Sequence, residues 1–180
     1  IEAREPTDDI RERFRGRESS ALRVSLPTLD VDDDDDQDRI DAFAREILAI
    51  PGVARVDAAT GTYGLRPTEE QAAVLPTLPG VEAVSGGRFI VPAEIVGPLR
   101  TTDRFSPRPG GSGTWFSVVP AVEPFSPEGE QIVHDIRDLD APFEFGVTGN
   151  SARLVDTKDA VFARLPWVLG AVALATFVLL

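Results

Sequence analysis

The chain contains no cysteine, no methionine, a single histidine (His134) and a single lysine (Lys158). Without cysteine neither a disulfide framework nor a thiolate metal site can form. With one imidazole and no thiol, no transition-metal site of the usual ligand set can be assembled around His134. That residue falls on the polar face of a predicted helix beside Asp135, where a surface role is expected, because a general base needs an oriented partner. Positive charge is also scarce: 30 acidic against 18 basic side chains leave a net charge of −12. Such a chain is ill suited to nucleic acid, whose phosphates demand clustered Lys and Arg. It is also repelled by anionic lipid head groups except where a local basic patch intervenes. Arginine supplies nearly all of the basic charge, and with abundant Ala, Gly, Pro and Asp it has the bias of a GC-rich bacterial genome.

The most informative absence is local. After Arg164 no residue is ionisable, and Leu165–Leu180 is built mostly of Leu, Val and Ala. A spanning helix needs about 20 such residues, so this run is expected to be the first part of a transmembrane helix that continues past Leu180. A core helix of a soluble protein would carry polar residues every few positions, whereas here only Thr176 interrupts. Trp167, with Arg164 and Lys158 upstream, has the pattern of a membrane interface, the ring at head-group depth and the cations outside the hydrocarbon. Pro166 at the junction is expected to bend or restart the helix.

The residues ahead of that tail divide into two similar units. Thr7–Arg15 is predicted as a short helix capped by Thr7, with Ile10 and Phe14 on one face and Gly16 as its stop. Ala21–Leu26 alternates apolar and polar as a strand does, and Pro27 ends it. A helix over about Gln37–Ala49 follows, with Ile40, Phe43, Ala44, Ile47 and Leu48 at helical spacing, and then a strand at Val53–Asp57. Residues 61–113 form an irregular insertion rich in Gly and Pro, with a short helix at Thr68–Leu75 and a strand or hairpin at Arg88–Val96. Order returns with a strand at Thr114–Val119. A helix over about Pro127–Leu139 comes next, capped by Ser126 and buried through Ile132, Val133, Ile136 and Leu139. A final strand is predicted at Phe143–Thr148. The order β-α-β, insertion, β-α-β defines an α+β protein of the split βαβ, ferredoxin-like type, with both helices on one face of the sheet. Residues 1–150 form the domain, and 151–180 a juxtamembrane helix entering the membrane at about 165–180.

No motif points to an enzyme. The aspartates Asp30, Asp32–Asp36 and Asp38 could attract a hard cation, but an EF-hand counted from Asp30 would put Asp35 where its turn requires glycine. A solvated acidic loop leading into a helix N-terminus explains the run. Gly110-Gly111-Ser112-Gly113 lacks the spacing of a nucleophile elbow and has no His/Asp partner order. Gly86-Gly87 and Gly61-Thr62-Tyr63-Gly64 open no helix after a strand, as phosphate cradles do, and are turn chemistry. No cofactor is implied.

The tail phrase GNSARLVDTKDAVFARLPWVLGAVALATFVLL resembles the junction between the second extracytoplasmic domain and the following membrane helix in actinobacterial MMPL transporters of the RND superfamily. Ile132–Leu139 resembles the helix that precedes that junction. The segments ARVDAATGTYG and RFSPRPGGSGTWFSVV are similar to the family's strand, glycine turn and returning strand. IRERFRGRESSALRVSLP looks like its approach from the preceding membrane helix, while residues 66–100 and the aspartate run depart from the pattern. The resemblance implies a multi-pass, proton-driven exporter of lipids or other hydrophobic molecules in the cell membrane. This chain would be one of its two extracytoplasmic lobes, partnered by membrane lipid, cargo and the rest of its own transporter chain. The family's proton-carrying residues belong to membrane helices outside this sequence. The alternatives are a membrane-tethered binding or scaffold domain without transport activity and, less favoured by the motifs, an extracytoplasmic enzyme.

Overall fold

In β1 (Leu22–Leu26), Leu22, Val24 and Leu26 are buried while Arg23 is exposed and Ser25 half-buried, the period-2 signature of a strand with one face on a core. This alternation fixes the register of the sheet. β1 pairs antiparallel with β6 (Thr114–Pro120), placing Leu22 opposite Val118 and Leu26 opposite Thr114. On its other side β1 pairs with β7 (Gly146–Thr148), Val24 opposite Val147. β2 (Val53–Ala58) closes the group against β6. The computed structural model describes residues 20–96, 105 and 112–180, so the helix expected at Thr7–Arg15 lies outside the described residues. The central order β2-β6-β1-β7, with helix α1 (Asp34–Ala49) joining β1 to β2 and helix α4 (Pro127–Arg137) joining β6 to β7, is the split βαβ arrangement.

The aspartate run, expected as a solvated loop ahead of the helix, extends into the helix itself. α1 begins at Asp34, three residues ahead of the expected start, with Asp33 as N-cap accepting from the Asp36 amide at 3.0 Å. Asp34, Asp35 and Asp36 occupy the first helical turn, where the unpaired N–H groups and the helix dipole favour negative charge. Asp36 also accepts from the Asp30 amide at 2.9 Å and from Arg39 at 2.9 Å. The run therefore works as a cap, with the Asp30, Asp33 and Asp36 carboxylates accepting from main-chain amides.

The expected irregular insertion is partly sheet. β3 (Gly61–Leu65), β4 (Glu82–Val84) and β5 (Arg88–Pro92) extend the sheet beyond β2 in the order β4-β5-β3-β2, every pair antiparallel. Among the described residues, helix α2 (Glu69–Val74, opened by a Thr68/Gln71 capping box), a 3-10 turn at Leu75–Thr77 and the helical turn α3 (Ala93–Val96) interrupt it. Gly61-Thr62-Tyr63-Gly64 is thus a strand and not a turn, with Tyr63 1% exposed. Gly64 disguised it. At φ +85° it sits where the β3–β5 register shifts, and a Cβ there would lie 2.6 Å from the Ala54 carbonyl oxygen. Such a bulge needs glycine.

Side chains tie these added strands to the helix layer. The Tyr63 hydroxyl donates to Asp41 Oδ1 at 2.8 Å and lies 2.6 Å from Thr60 Oγ1. Burial pushes this phenol above its ordinary pKa, so it remains a donor throughout the physiological range. Arg45 of α1 bridges Asp41 Oδ2 at 2.6 Å and both oxygens of Glu82 on β4 at 2.6 and 3.1 Å. The Arg45 guanidinium in turn holds the Glu82 carboxyl below the usual carboxylate range.

Phe43 of α1 is the hub of the core. Its ring centroid lies 6.0 Å from Phe116, 5.2 Å from Phe143 and 5.0 Å from Phe145. The last strand is shorter than expected because its ladder to β1 stops at Ser25 opposite Gly146. Continuing it would bring the chain opposite Pro27, which has no N–H to donate. α4 keeps its predicted Ser126 cap, with Ile132, Val133 and Ile136 buried. Its first turn presses so closely on the preceding loop that a Cβ on Gly129 would meet the Glu123 carbonyl oxygen at 2.4 Å. Gly129→Ala is predicted to destabilise the domain by about 1–3 kcal/mol through overpacking, against an intrinsic helix preference for alanine of about 1 kcal/mol. Urea unfolding measures this, and an unchanged or raised midpoint contradicts it.

Candidate functional site: the helix that leaves the domain

Helix α5 runs from Asn150 to Leu179 as one element of 30 residues. Its start is set by Gly149, at φ +138° and with no side-chain cap. A Cβ at Gly149 would stand 3.0 Å from Leu22 Cδ2 and 3.3 Å from Leu22 Cα, so only glycine lets the new helix begin this close to β1. The first two turns are built into the domain, with Ser151, Ala152 and Val155 only 2%, 1% and 1% exposed. Two ion pairs then join α5 to α4: Lys158 Nζ with Glu130 Oε1, and Arg137 Nη1 with Asp156 Oδ1 at 2.8 Å. Each is partly solvated and contributes about 0–1 kcal/mol. Their value lies in setting the direction in which the helix departs.

From Asp156 to Leu180 every residue is exposed. At 1.5 Å per residue this exposed part of α5 is about 36 Å long, and the charge-free part from Leu165 about 22 Å. The helix is long and apolar enough to cross a membrane, with a mean hydropathy of 1.8 over its apolar window and none of that window buried. Phe162, Trp167, Phe177 and Leu179 are between 66% and 87% exposed. In water such a surface would be an aggregation hazard; in hydrocarbon it is at its lowest free energy.

The structure separates the four residues that the sequence groups at the interface. Lys158 belongs to the docked end, where its ammonium is held by Glu130. Arg164, Pro166 and Trp167 lie about two turns further along, clear of the domain. About 13 Å of helix axis divides Lys158 from Trp167. α5 continues through Pro166 without a break, so the expected restart does not occur. Proline removes the amide that would bond the Phe162 carbonyl, and at the water-exposed edge of a membrane that carbonyl can be solvated. Glu130, Arg137 and Asp156, which sequence reasoning did not single out, define the docking of α5; their pairing is between distant residues, so no local pattern signals it.

Other residues of interest stand apart from this feature. His134 is exposed on α4. Among the described residues no three His, Asp or Glu side chains gather as a metal site. On the sheet face away from the helices, the Arg23 guanidinium lies 4.0 Å over the Trp115 ring, which also meets Phe105 at 4.8 Å. Comparison with known proteins finds no family model that matches the chain and no match among curated proteins.

Proposed function

We propose that the chain is an extracytoplasmic lobe of a proton-motive-force-driven transporter of the RND/MMPL kind, exporting lipids or other hydrophobic molecules across the cell membrane. The observation that carries this reading is the single unbroken helix: its first turns are core of an acidic split βαβ domain, and its last turns are bare apolar surface. No linker separates the two. In a secondary transporter energy enters at ionisable groups near the bilayer midplane. A lobe rigidly joined to a spanning helix turns a shift of that helix into hinge or shear motion outside the membrane. The expected partners are membrane lipid, an amphiphilic cargo and the remaining transmembrane part of the same transporter, including a second lobe. Arg164, Pro166 and Trp167 then mark the membrane surface, and Lys158 with Glu130 locks the rod to the lobe.

The coupling is tested by inserting a flexible Gly-Gly-Ser-Gly segment after Leu165 in the full-length transporter. Transport of a fluorescent lipid from cells or vesicles is expected to fall to background while the lobe's own thermal unfolding is unchanged. Undiminished transport would remove the coupling role. The second reading is a tethered binding domain that uses α5 only as an anchor. It predicts that a linker is tolerated and that the complete gene encodes one or two hydrophobic segments.

A further inference from the structure

Three turns that touch one another form the end of the domain from which α5 departs. Leu22, beside the Gly149 that starts α5, faces Val118 across the sheet, and β6 runs on from there to Pro120, opposite Val53. The turn into β2 (Pro51-Gly52) and the turn out of β6 (Ala121–Ser126) therefore lie at this end, joined by the Ala121 amide donating to the Gly52 carbonyl at 2.7 Å. The β4–β5 turn (Ser85-Gly86-Gly87) is held to them by Arg88, which donates to the Val53 carbonyl at 3.2 Å and to the Ser85 carbonyl at 3.0 Å. Charge is sorted between this end and the other. In a chain of net charge −12, these three turns hold one ionisable residue, Glu123. The opposite end receives Asp30 and the run Asp32–Asp36 after β1, and Asp138, Asp140 and Glu144 after α4. The carboxylates that an anionic lipid surface repels thus stand away from the membrane.

The near end exposes a ring instead. Among the described residues outside α5, Phe125 and Val74 are the large apolar side chains left exposed, Phe125 at 63%. Its depth follows from the way α4 meets α5. The two helices pack antiparallel: Arg137 at the end of α4 pairs with Asp156, and Glu130 near its start pairs with Lys158. α4 thus begins on the membrane side, and its cap Ser126 lies about 6 Å beyond Glu130 along the axis. Phe125 then comes level with Phe162, about 7 Å short of Trp167. The polar zone on each side of a bilayer is about 5–8 Å thick. With Trp167 at the inner edge of that zone, the Phe125 ring reaches into it. Glu123 and Glu128, both exposed, flank the ring, which keeps it at head-group depth and makes a zwitterionic surface the suitable one.

We propose that the domain rests on the bilayer through this neutral end, with Phe125 among the head groups of the zwitterionic lipid around α5, so that rod and ring together fix how the lobe stands on the membrane. The contact rests on α5 entering the membrane, which a transporter lobe and a tethered domain share, and is independent of transport.

Two reporters test it in the full 180-residue chain in phosphatidylcholine vesicles, each as the single tryptophan after Trp115→Phe and Trp167→Phe: Phe125→Trp, and Thr28→Trp in the exposed loop at the acidic end as control. Phe125→Trp is expected to emit to the blue of the control and to be quenched by lipids brominated near the head group. Its iodide quenching constant should be lower than the control's by roughly threefold, as for a ring at head-group depth. Equal iodide access at the two positions would overturn the contact. Blue emission indifferent to brominated lipid would assign the ring to a protein neighbour and overturn it as well. Should Phe125→Trp lower the thermal midpoint, Phe125→Cys carrying a nitroxide is the second reporter, the chain having no native cysteine. Its relaxation by an aqueous nickel complex should be weaker than that of the same label on Thr28→Cys, and equal relaxation overturns the contact. Trp167 read alone after Trp115→Phe separates the failures: with Trp167 in lipid and position 125 in water only this inference falls, and with both in water the membrane reading of α5 falls with it.

Discussion

Val172→Arg is expected to move the 180-residue chain out of the carbonate-resistant membrane fraction. Val172 lies midway along Leu165–Leu179 and is 59% exposed on a helix with no domain contacts at that level. No neighbouring acid in the described residues can neutralise a charge placed there, because the nearest ionisable side chain on α5 is Arg164. An arginine at the centre of a spanning helix disfavours insertion by about 2.5–3.5 kcal/mol, roughly a hundredfold in the partition constant. The domain itself is untouched, so its denaturation midpoint should be unaltered. Thr157→Arg, two turns above the interface and already in water, is the matched control and should remain membrane-bound. A V172R protein as firmly embedded as the parent would mean that this part of α5 does not sit in hydrocarbon.

The second large effect is in the core. Phe43→Ala is expected to destabilise the domain by about 3–5 kcal/mol, the usual loss for a buried aromatic. Phe43 is 3% exposed and contacts three other rings, two of them from the segment Phe143–Phe145 that leads into β7. Truncation therefore opens a cavity between α1 and the sheet and also loosens the strand from which α5 departs. Since a domain's whole stability is about 5–15 kcal/mol, the variant should unfold at a thermal midpoint lower by about 10 °C or more. A shift under about 2 °C would show that the aromatic cluster is not the centre of the core. Phe43→Leu keeps most of the volume and should recover the larger part of the loss.

The two βαβ units were legible because their signals are local and mutually consistent. The 2-residue period of Leu22, Val24 and Leu26 and the helical stripe from Ile40 to Leu48 each name one buried face. Their faces agree, so topology followed. The three added strands were hidden by composition. Glycines at 61 and 64, read as turn residues, are sites of close approach and bulge inside β3, and the tell-tale residue was Tyr63, a strong strand former between them. The start of α1 was placed late because the aspartates read as a solvated loop leading to the helix, whereas Asp33 is its N-cap and Asp34–Asp36 its first turn. At the departing helix, the apolar run and Trp167 were visible in sequence. The Glu130–Lys158 and Arg137–Asp156 pairs were not, since they depend on how α4 and α5 meet. Lys158 accordingly reads in sequence as a membrane cation and in the structure as a docking residue.

The central claim is that α5 is one rod, docked at Val155 and dissolved in lipid beyond Leu165. Trp167 fluorescence tests it most directly, with Trp115→Phe removing the only other tryptophan. In phospholipid vesicles the emission should shift to the blue of its position in buffer with detergent removed, resist aqueous iodide, and be quenched more by lipids brominated near the head group than at the chain end. Emission fully quenched by iodide and indifferent to brominated lipid would place Trp167 in water and contradict the account.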